Sequence, residues 1–273
     1  MNLTDTEIVK ALELAGVTNQ QYLFLHSSLF MLGKLQSCDL QATPRKFLDL
    51  LKEVSGTQSN LFVPTFNYNF PSSRNENLIE QVSEMGVFSE FVRQHQDSVR
   101  SGHPMFSISG IGQEAETICR PNEPEFHPFN EHSTFARLLE NDALLMLQGV
   151  NFGVATVVVL IEYLLKVKYR FDKPFFGDVT LHSGKKVSGE FFHFCFPLNG
   201  EYRENYQPFV DFLMREDLIT SVKLGRGKLT CISFKQLYNA ITKLIEQDPF
   251  ILLNKYPQHL YTFQNGKEVA HPL

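Results

Sequence analysis

Three short apolar runs, QYLFLH (21–26), LFVP (61–64) and ALLMLQGV (143–150), constrain this chain most. Each is too short for a helix of ordinary length and reads as a buried strand. Segments with helical spacing follow them. TPRKFLDLLKEVSG opens with Pro44 in its first turn and stops at Gly56. GVFSEFVRQHQ is a shorter helix, and ATVVVLIEYLLKV reads as a helix despite its β-branched residues. Ahead of them, Thr4 and Glu7 have the spacing of a capping box, opening a helix that ends near Gly16. Apolar strands alternating with helices predict an α/β fold: a mixed, largely parallel central sheet flanked by helices.

The texture changes after Asp172. KKVSGEFFHFCFPL reads as a strand or hairpin arm, PFVDFLMRED as a helix, and SVKLGRGKLTCIS as two short strands around Gly225 and Gly227. SFKQLYNAITKLIEQDP is a closing helix. The expectation is therefore an α/β portion over 1–172 and a smaller α+β portion over 173–273, either as two units or as one continuous domain. At 273 residues both arrangements are open.

Charge and cysteine usage narrow the function classes. The net charge is −5 and no long run of Lys and Arg occurs, which argues against a nucleic-acid partner. The four cysteines stand far apart, as expected of reduced thiols in a cytoplasmic protein. The N-terminal stretch lacks the apolar core of a signal peptide. The longest apolar run, VATVVVLIEYLL, falls short of the ~20 residues needed to cross a bilayer and carries Glu162, so no membrane role is expected. No HExxH or Cys/His pairing suggests a metal, and no G-x-S-x-G elbow suggests a serine hydrolase. GIGQEA (110–115) fits a dinucleotide fingerprint in letters, but Pro121 leaves too little room for the helix that such a site needs.

Three polar stretches remain as candidate sites. HSS (26–28) follows a buried strand, where α/β sheets bind ligands, and Ser27 and Ser28 offer hydroxyls and N–H groups to a phosphate or a carbonyl oxygen. The bland alternative is a strand-to-loop turn. PTFNYN (64–69) alternates Thr65, Asn67 and Asn69 with Phe66 and Tyr68, which suits a sugar or a base; the alternative is an edge strand. VRSGHPMFSISGIG (99–112) gathers Arg100, Ser101 and His103 with serines and glycines. Arginine grips phosphate in bidentate fashion; the alternative is a surface loop with a half-buried arginine.

In order, FLHSSLFMLG, LFVPTFNYNF, VRSGHPMFSISGIG, EHSTFARLLENDALLMLQGV and LGRGKLTCISFKQLYNAITKLIEQDP resemble the aminoglycoside 3-N-acetyltransferase family along nearly the whole chain. The resemblance implies acyl transfer from acyl-coenzyme A to a sugar-borne amine. It implies that Ser27, Ser28, Arg100, Ser101 and His103 line the coenzyme A site; Thr65, Asn67, Tyr68, Asn151 and Thr156 are the residues expected to face the acceptor, and no metal is expected. Where the family carries T-x-x-H-x-x-E, this chain keeps Thr156 and Glu162 but has Val159 at the histidine position. Four accounts of that departure are open. Glu162 accepts the proton itself; His103 or His26 takes the role; positioning alone supplies the rate; or the activity is lost, leaving a coenzyme A-fold binding protein. The expected acceptor is a nucleotide-linked amino sugar, specifically a dTDP-linked 3-amino-3,6-dideoxyhexose of surface glycan biosynthesis. The alternative acceptor is an aminoglycoside. A homodimer is compatible with either.

Overall fold

The structure, a computed structural model, describes residues 2–273. A short β1 (Asn2–Leu3) leads into α1 (Asp5–Leu14), then β2 (Tyr22–Ser27), β3 (Lys34–Leu35), α2 (Thr43–Ser55) and β4 (Asn60–Pro64). There follow α3 (Phe70–Ser73), β5 (Asn75–Asn77), α4 (Val87–Arg93), β6 (Val99–Arg100), β7 (Ile108–Ile111), α5 (Ala115–Cys119) and α6 (Thr134–Glu140). Next come β8 (Leu144–Gln148), α7 (Val157–Leu164), and the long strands β9 (Phe171–Thr180) and β10 (Lys186–Cys195). The chain finishes with α8 (Gln207–Arg215), β11 (Thr220–Leu224), β12 (Gly227–Ser233), α9 (Phe234–Gln247), β13 (His259–Gln264) and β14 (Lys267–Pro272). The expected capping box is present: the Thr4 hydroxyl accepts from the Glu7 N–H at 3.2 Å and the Glu7 carboxylate accepts from the Thr4 N–H at 2.8 Å.

The main sheet is seven-stranded, in the order β11-β12-β8-β2-β4-β7-β6. It is mixed and flanked by helices, as expected, but parallel pairing is confined to its centre, where β2 lies between β8 and β4. Both flanks are antiparallel. The reason is local. β11 and β12 are joined by the Gly225–Arg226 turn, and so short a connection can only link antiparallel neighbours. β6 and β7 fold back on each other in the same sense, so VRSGHPMFSISGIG is a hairpin rather than a ligand loop.

Alternation along the central strands sorts two cores. Phe24, Leu145, Leu147 and Ile232 join Val157, Leu160 and Ile161 of α7 and Leu237 and Ile241 of α9. Leu23, Leu25, Val63 and Met146 pack on the opposite face against Leu12 of α1, Leu48 and Leu51 of α2 and Phe88 of α4. A third cluster, Tyr169, Phe171, Tyr202, Leu253 and Tyr261, seats the β13–β14 hairpin. The sheet takes strands from both sides of residue 172, and the first core spans the same point.

Candidate functional site

The carboxyl ends of β2 and β8 meet in register at Ser27 and Gln148. The Ser27 hydroxyl donates to Gln148 Oε1 at 2.6 Å, and the Ser28 N–H donates to the Gln148 carbonyl at 2.9 Å. The chain then turns through a short 3₁₀ helix, Leu29–Met31. Glycines let neighbouring segments close on this turn. Gly225 has φ +62° and a side chain there would sit 2.2 Å from the Leu32 carbonyl; Gly149 has φ +68° and its Cβ would fall 2.4 Å from Met31 Cβ.

Beside this turn runs a groove of about 880 Å³, walled by Leu29, Phe30, Leu40, Pro44, Val87 and Arg226. Phe30 is 76% exposed, and the Arg226 guanidinium stands 5.6 Å from its ring centroid. Lys34 adds a second cation and Asp39 an anion. An apolar trough with two cations, at the carboxyl ends of parallel strands, has the chemistry to hold a long thiol arm and its phosphates.

A second cavity, of about 480 Å³, opens at the end of β8. Leu147, Asn151 and Phe152 form one wall; Glu204, Tyr206 and Gln207, at the start of α8, form another. Asn151 Oδ1 caps the following turn by accepting from the Gly153 N–H at 2.9 Å.

The 99–112 segment lies elsewhere. Arg100 is 4% exposed, and its five N–H donors all meet protein acceptors. Nε donates to Ser107 Oγ at 2.8 Å; Nη1 to the carbonyls of Leu78 and Gln81 at 3.0 and 2.6 Å; Nη2 to the Thr65 carbonyl at 2.6 Å and Gln81 Oε1 at 2.9 Å. No donor is left for a phosphate, which corrects the expectation for Arg100. Ser101 is buried, its hydroxyl accepting from the Ile108 N–H at 2.9 Å. His103 is buried with both ring nitrogens engaged: Nδ1 accepts from the N–H groups of Met105 and Phe106 at 3.1 and 3.0 Å, and Nε2 donates to the Phe192 carbonyl at 3.1 Å. Burial holds its pKa well below the usual histidine range. His103 is a satisfied core histidine without a free lone pair.

Of the PTFNYN residues, Thr65 is buried and donates to the Ser107 carbonyl at 3.1 Å. Asn67 is buried, spanning the Val82 carbonyl and the Asn69 N–H. Tyr68 and Asn69 are exposed, and the Tyr68 ring stands edge-on to Phe106 at 5.8 Å.

Thr156, just ahead of α7, and Val159 are half-buried, whereas Glu162, three positions further along, is fully buried. Glu162 has its own partners. The Tyr169 hydroxyl donates to Oε1 at 2.8 Å, and Arg170 Nε stands 2.8 Å from Oε2 in an ion pair that is close but poorly aligned for a hydrogen bond. Arg170 also lies 3.8 Å over the Phe196 ring. Burial pushes the Glu162 carboxyl up, against the opposing pull of Arg170. The carboxylate is held as a structural partner of Arg170, and this corrects its assignment as the proton acceptor.

His26 differs from both. It is buried on β2, edge-on to Phe24 at 5.1 Å, and its Nε2 has no hydrogen-bond partner. Burial lowers its pKa to about 3, so the ring is neutral at pH 7. In register it lies beside Leu147, and Leu147 beside Thr230. Leu147 and Thr230 line the second cavity, so one strand separates His26 from that wall. The structure thus brings together Ser27, Ser28, His26 and Asn151 near the strand ends and leaves Arg100, Ser101 and His103 in the interior. The groove residues Phe30, Lys34 and Arg226 were not among the sequence candidates. Their signal, an exposed aromatic after HSS and a cation in a two-glycine turn, was faint.

The fold is that of aminoglycoside acetyltransferases. The chain belongs to the aminoglycoside 3-N-acetyltransferase family, whose sequence model matches residues 24–246. It is 26% identical over 248 residues to aminoglycoside N(3)-acetyltransferase IV from Salmonella, covering 91% of this chain and 89% of that protein. The crystal structure of the AAC(3)-IVa apoenzyme shares the fold with a TM-score of 0.72 at 22% identity, covering 92% of each chain. AAC-IIIb in a binary complex with CoASH matches with a TM-score of 0.76 at 15% identity, covering 94% of this chain and 100% of that one. AAC-VIa, with a TM-score of 0.71 at 20% identity over 90% of this chain and 98% of that one, is bound to sisomicin. These relatives carry aminoglycoside names, so they favour the aminoglycoside alternative over the nucleotide-linked sugar.

Proposed function

We propose that this protein transfers an acyl group from acyl-coenzyme A to a primary amine of an aminoglycoside-type amino sugar. The observation that carries the reading is the groove beside the Ser28–Leu32 turn. Phe30 and Leu40 offer apolar surface to the pantetheine arm and adenine, and Lys34 and Arg226 offer charge to the phosphates. The acceptor occupies the second cavity, where Glu204 meets an ammonium group and Asn151 and Gln207 meet hydroxyls. That cavity draws its walls from both sides of residue 172, in keeping with a C-terminal portion that completes the acceptor site.

The amine nitrogen attacks the thioester carbonyl carbon. A C–N bond forms, the C–S bond breaks, and the thiolate leaves. The proton released from nitrogen needs an acceptor, and Val159 cannot serve. His103 has no free lone pair and Glu162 is paired with Arg170. His26 remains: neutral, with an unpartnered nitrogen, one strand from the cavity wall. Its Nε2 is shut off from that cavity, so it does not take the proton either; an amine that arrives unprotonated attacks, and solvent carries the released proton to the departing thiolate. Orientation of the two reactants alone can supply roughly 7–11 kcal/mol of the barrier. Mass spectrometry of mixtures of acetyl-coenzyme A with kanamycin-, gentamicin- and sisomicin-type acceptors tests the reading, with a dTDP-linked amino sugar alongside. Aminoglycosides are expected to gain one acetyl group. Exclusive acylation of the nucleotide-linked sugar would overturn the choice of acceptor.

A further inference from the structure

Gln148 carries a buried amide that is only half satisfied. It is the last residue of β8, and its side chain is fully buried. The Ser27 hydroxyl donates to Oε1 at 2.6 Å, while Nε2 has no hydrogen-bond partner. An amide withdrawn from water and left unpaired costs about 1–3 kcal/mol. Leucine would fill the position without that cost, and β8 is otherwise leucine and methionine from Leu144 to Leu147. The location gives the donor a use. Gln148 is the register partner of Ser27, whose backbone opens the turn beside the groove. On the other side of Ser27 stands Gly86, whose Cβ would lie 3.8 Å from the Ser27 carbonyl; the next residue, Val87, is a groove wall. Leu29, two residues past Ser27, and Val87, next to Gly86, are groove walls, so the Ser27–Gln148 pair lies directly behind that wall.

We propose that Gln148 Nε2 donates a hydrogen bond to the carbonyl oxygen of the acyl thioester, with Ser27 as the positioning residue that fixes the amide. The inference rests on acyl-coenzyme A occupying the groove. As the amine attacks, that oxygen gains negative charge, and a donor already oriented in a dry site stabilises it without reorganisation. Because the Ser27 hydroxyl occupies Oε1, the NH₂ end is the end left for ligand. No change in connectivity is asked of Gln148: it donates throughout, and the bonds made and broken are those of acyl transfer.

Two measurements on the purified full chain test this: steady-state acetyl transfer, and calorimetric binding of CoASH and of the ketone analogue of acetyl-coenzyme A in which CH₂ replaces sulfur. For Gln148→Leu, kcat is expected to fall about 10²-fold, in the range for loss of one such donor, with KM nearly unchanged. CoASH, which has no acyl carbonyl, should bind Gln148→Leu as it binds the wild type. The ketone analogue should bind the wild type several-fold more tightly than CoASH and lose that advantage in the variant. Ser27→Ala should show a smaller kcat loss, and Ser27→Thr, which keeps the hydroxyl, should restore most of it. If Gln148→Leu does not fold, the two Ser27 variants decide. Full kcat in Gln148→Leu, or an equal loss of CoASH affinity, overturns the proposal in favour of a bound water or a packing role. A wild type that binds CoASH and shows no preference for the ketone analogue overturns it too. A wild type that binds neither ligand removes the groove reading and this inference together.

Discussion

Two buried charges frame the residue scale. Arg100 spends every donor on carbonyl, amide and hydroxyl oxygens of Thr65, Ser107 and the 78–81 segment. Glu162 holds Arg170 and Tyr169. Removing either leaves its partners buried and unpaired. Arg100→Ala is expected to cost about 3 kcal/mol or more of folding stability, from several charge-assisted hydrogen bonds, and to leave coenzyme A affinity per folded molecule unchanged. Chemical denaturation and calorimetry read the two quantities separately. Glu162→Gln should cost about 3–5 kcal/mol, as for a broken buried ion pair, while kcat per folded molecule stays within about threefold of the wild type. A stable Gln variant without activity would return Glu162 to the catalytic role. The sequence made both residues conspicuous and hid their use. A cation, hydroxyls and an imidazole in one segment suit a phosphate site and an internal hydrogen-bond network equally, and the difference lies in Leu78, Gln81 and Thr65, whose carbonyls no sequence pattern brings near Arg100. Glu162 was legible as a buried carboxylate needing a partner, but Arg170 stands eight positions along and beyond the end of α7, outside the reach of helical spacing.

At the scale of elements, the site is a product of strand ends and glycines. The helices and strands were largely readable, because apolar runs bounded by Pro44, Gly56 and Gly225 leave few alternatives. Strand direction was less so: an apolar run such as LFVP has the same composition in either sense, and only the hairpin turns reveal the antiparallel flanks. The Gly225 turn gives a direct test. Gly225→Ala combines a left-handed φ of +62° with a Cβ 2.2 Å from the Leu32 carbonyl, so the Ser28–Leu32 turn must move. Coenzyme A affinity is expected to drop at least tenfold, about 1.4 kcal/mol. Gly184 is the control, since it has φ +79° but nothing within 4 Å of a built Cβ. Gly184→Ala should bind coenzyme A as the wild type does. Equal effects at both positions would mean that the turn is not part of the binding site.

Across the whole molecule, buried neutral histidines couple stability to pH. The pKa of His26 is about 3 in the fold, against about 6.5 unfolded. A depressed value means that its contribution is complete above about pH 6.5 and is lost as pH falls toward 3. Glu125, raised to about 7 by burial, works in the opposite direction, so the His26 share is best read as a difference. Between pH 6 and 4, the stability of the wild type relative to His26→Leu should fall by up to about 1.4 kcal/mol per pH unit. Parallel curves would mean that His26 titrates normally in the folded protein and is not the buried neutral imidazole described above. The central claim is that the groove and the cavity on either side of the strand ends are two halves of one acyl-transfer site. Free thiol is its most direct readout, followed as acetyl-coenzyme A and an aminoglycoside are mixed with the wild-type protein at neutral pH. The expected result is thiol released in equal amount to acetylated amine, at a rate well above that of the protein-free mixture. The contrary result is coenzyme A bound in the groove with no thiol released above the protein-free rate for any amino-sugar acceptor, which would make this chain a binding protein on an acyltransferase fold.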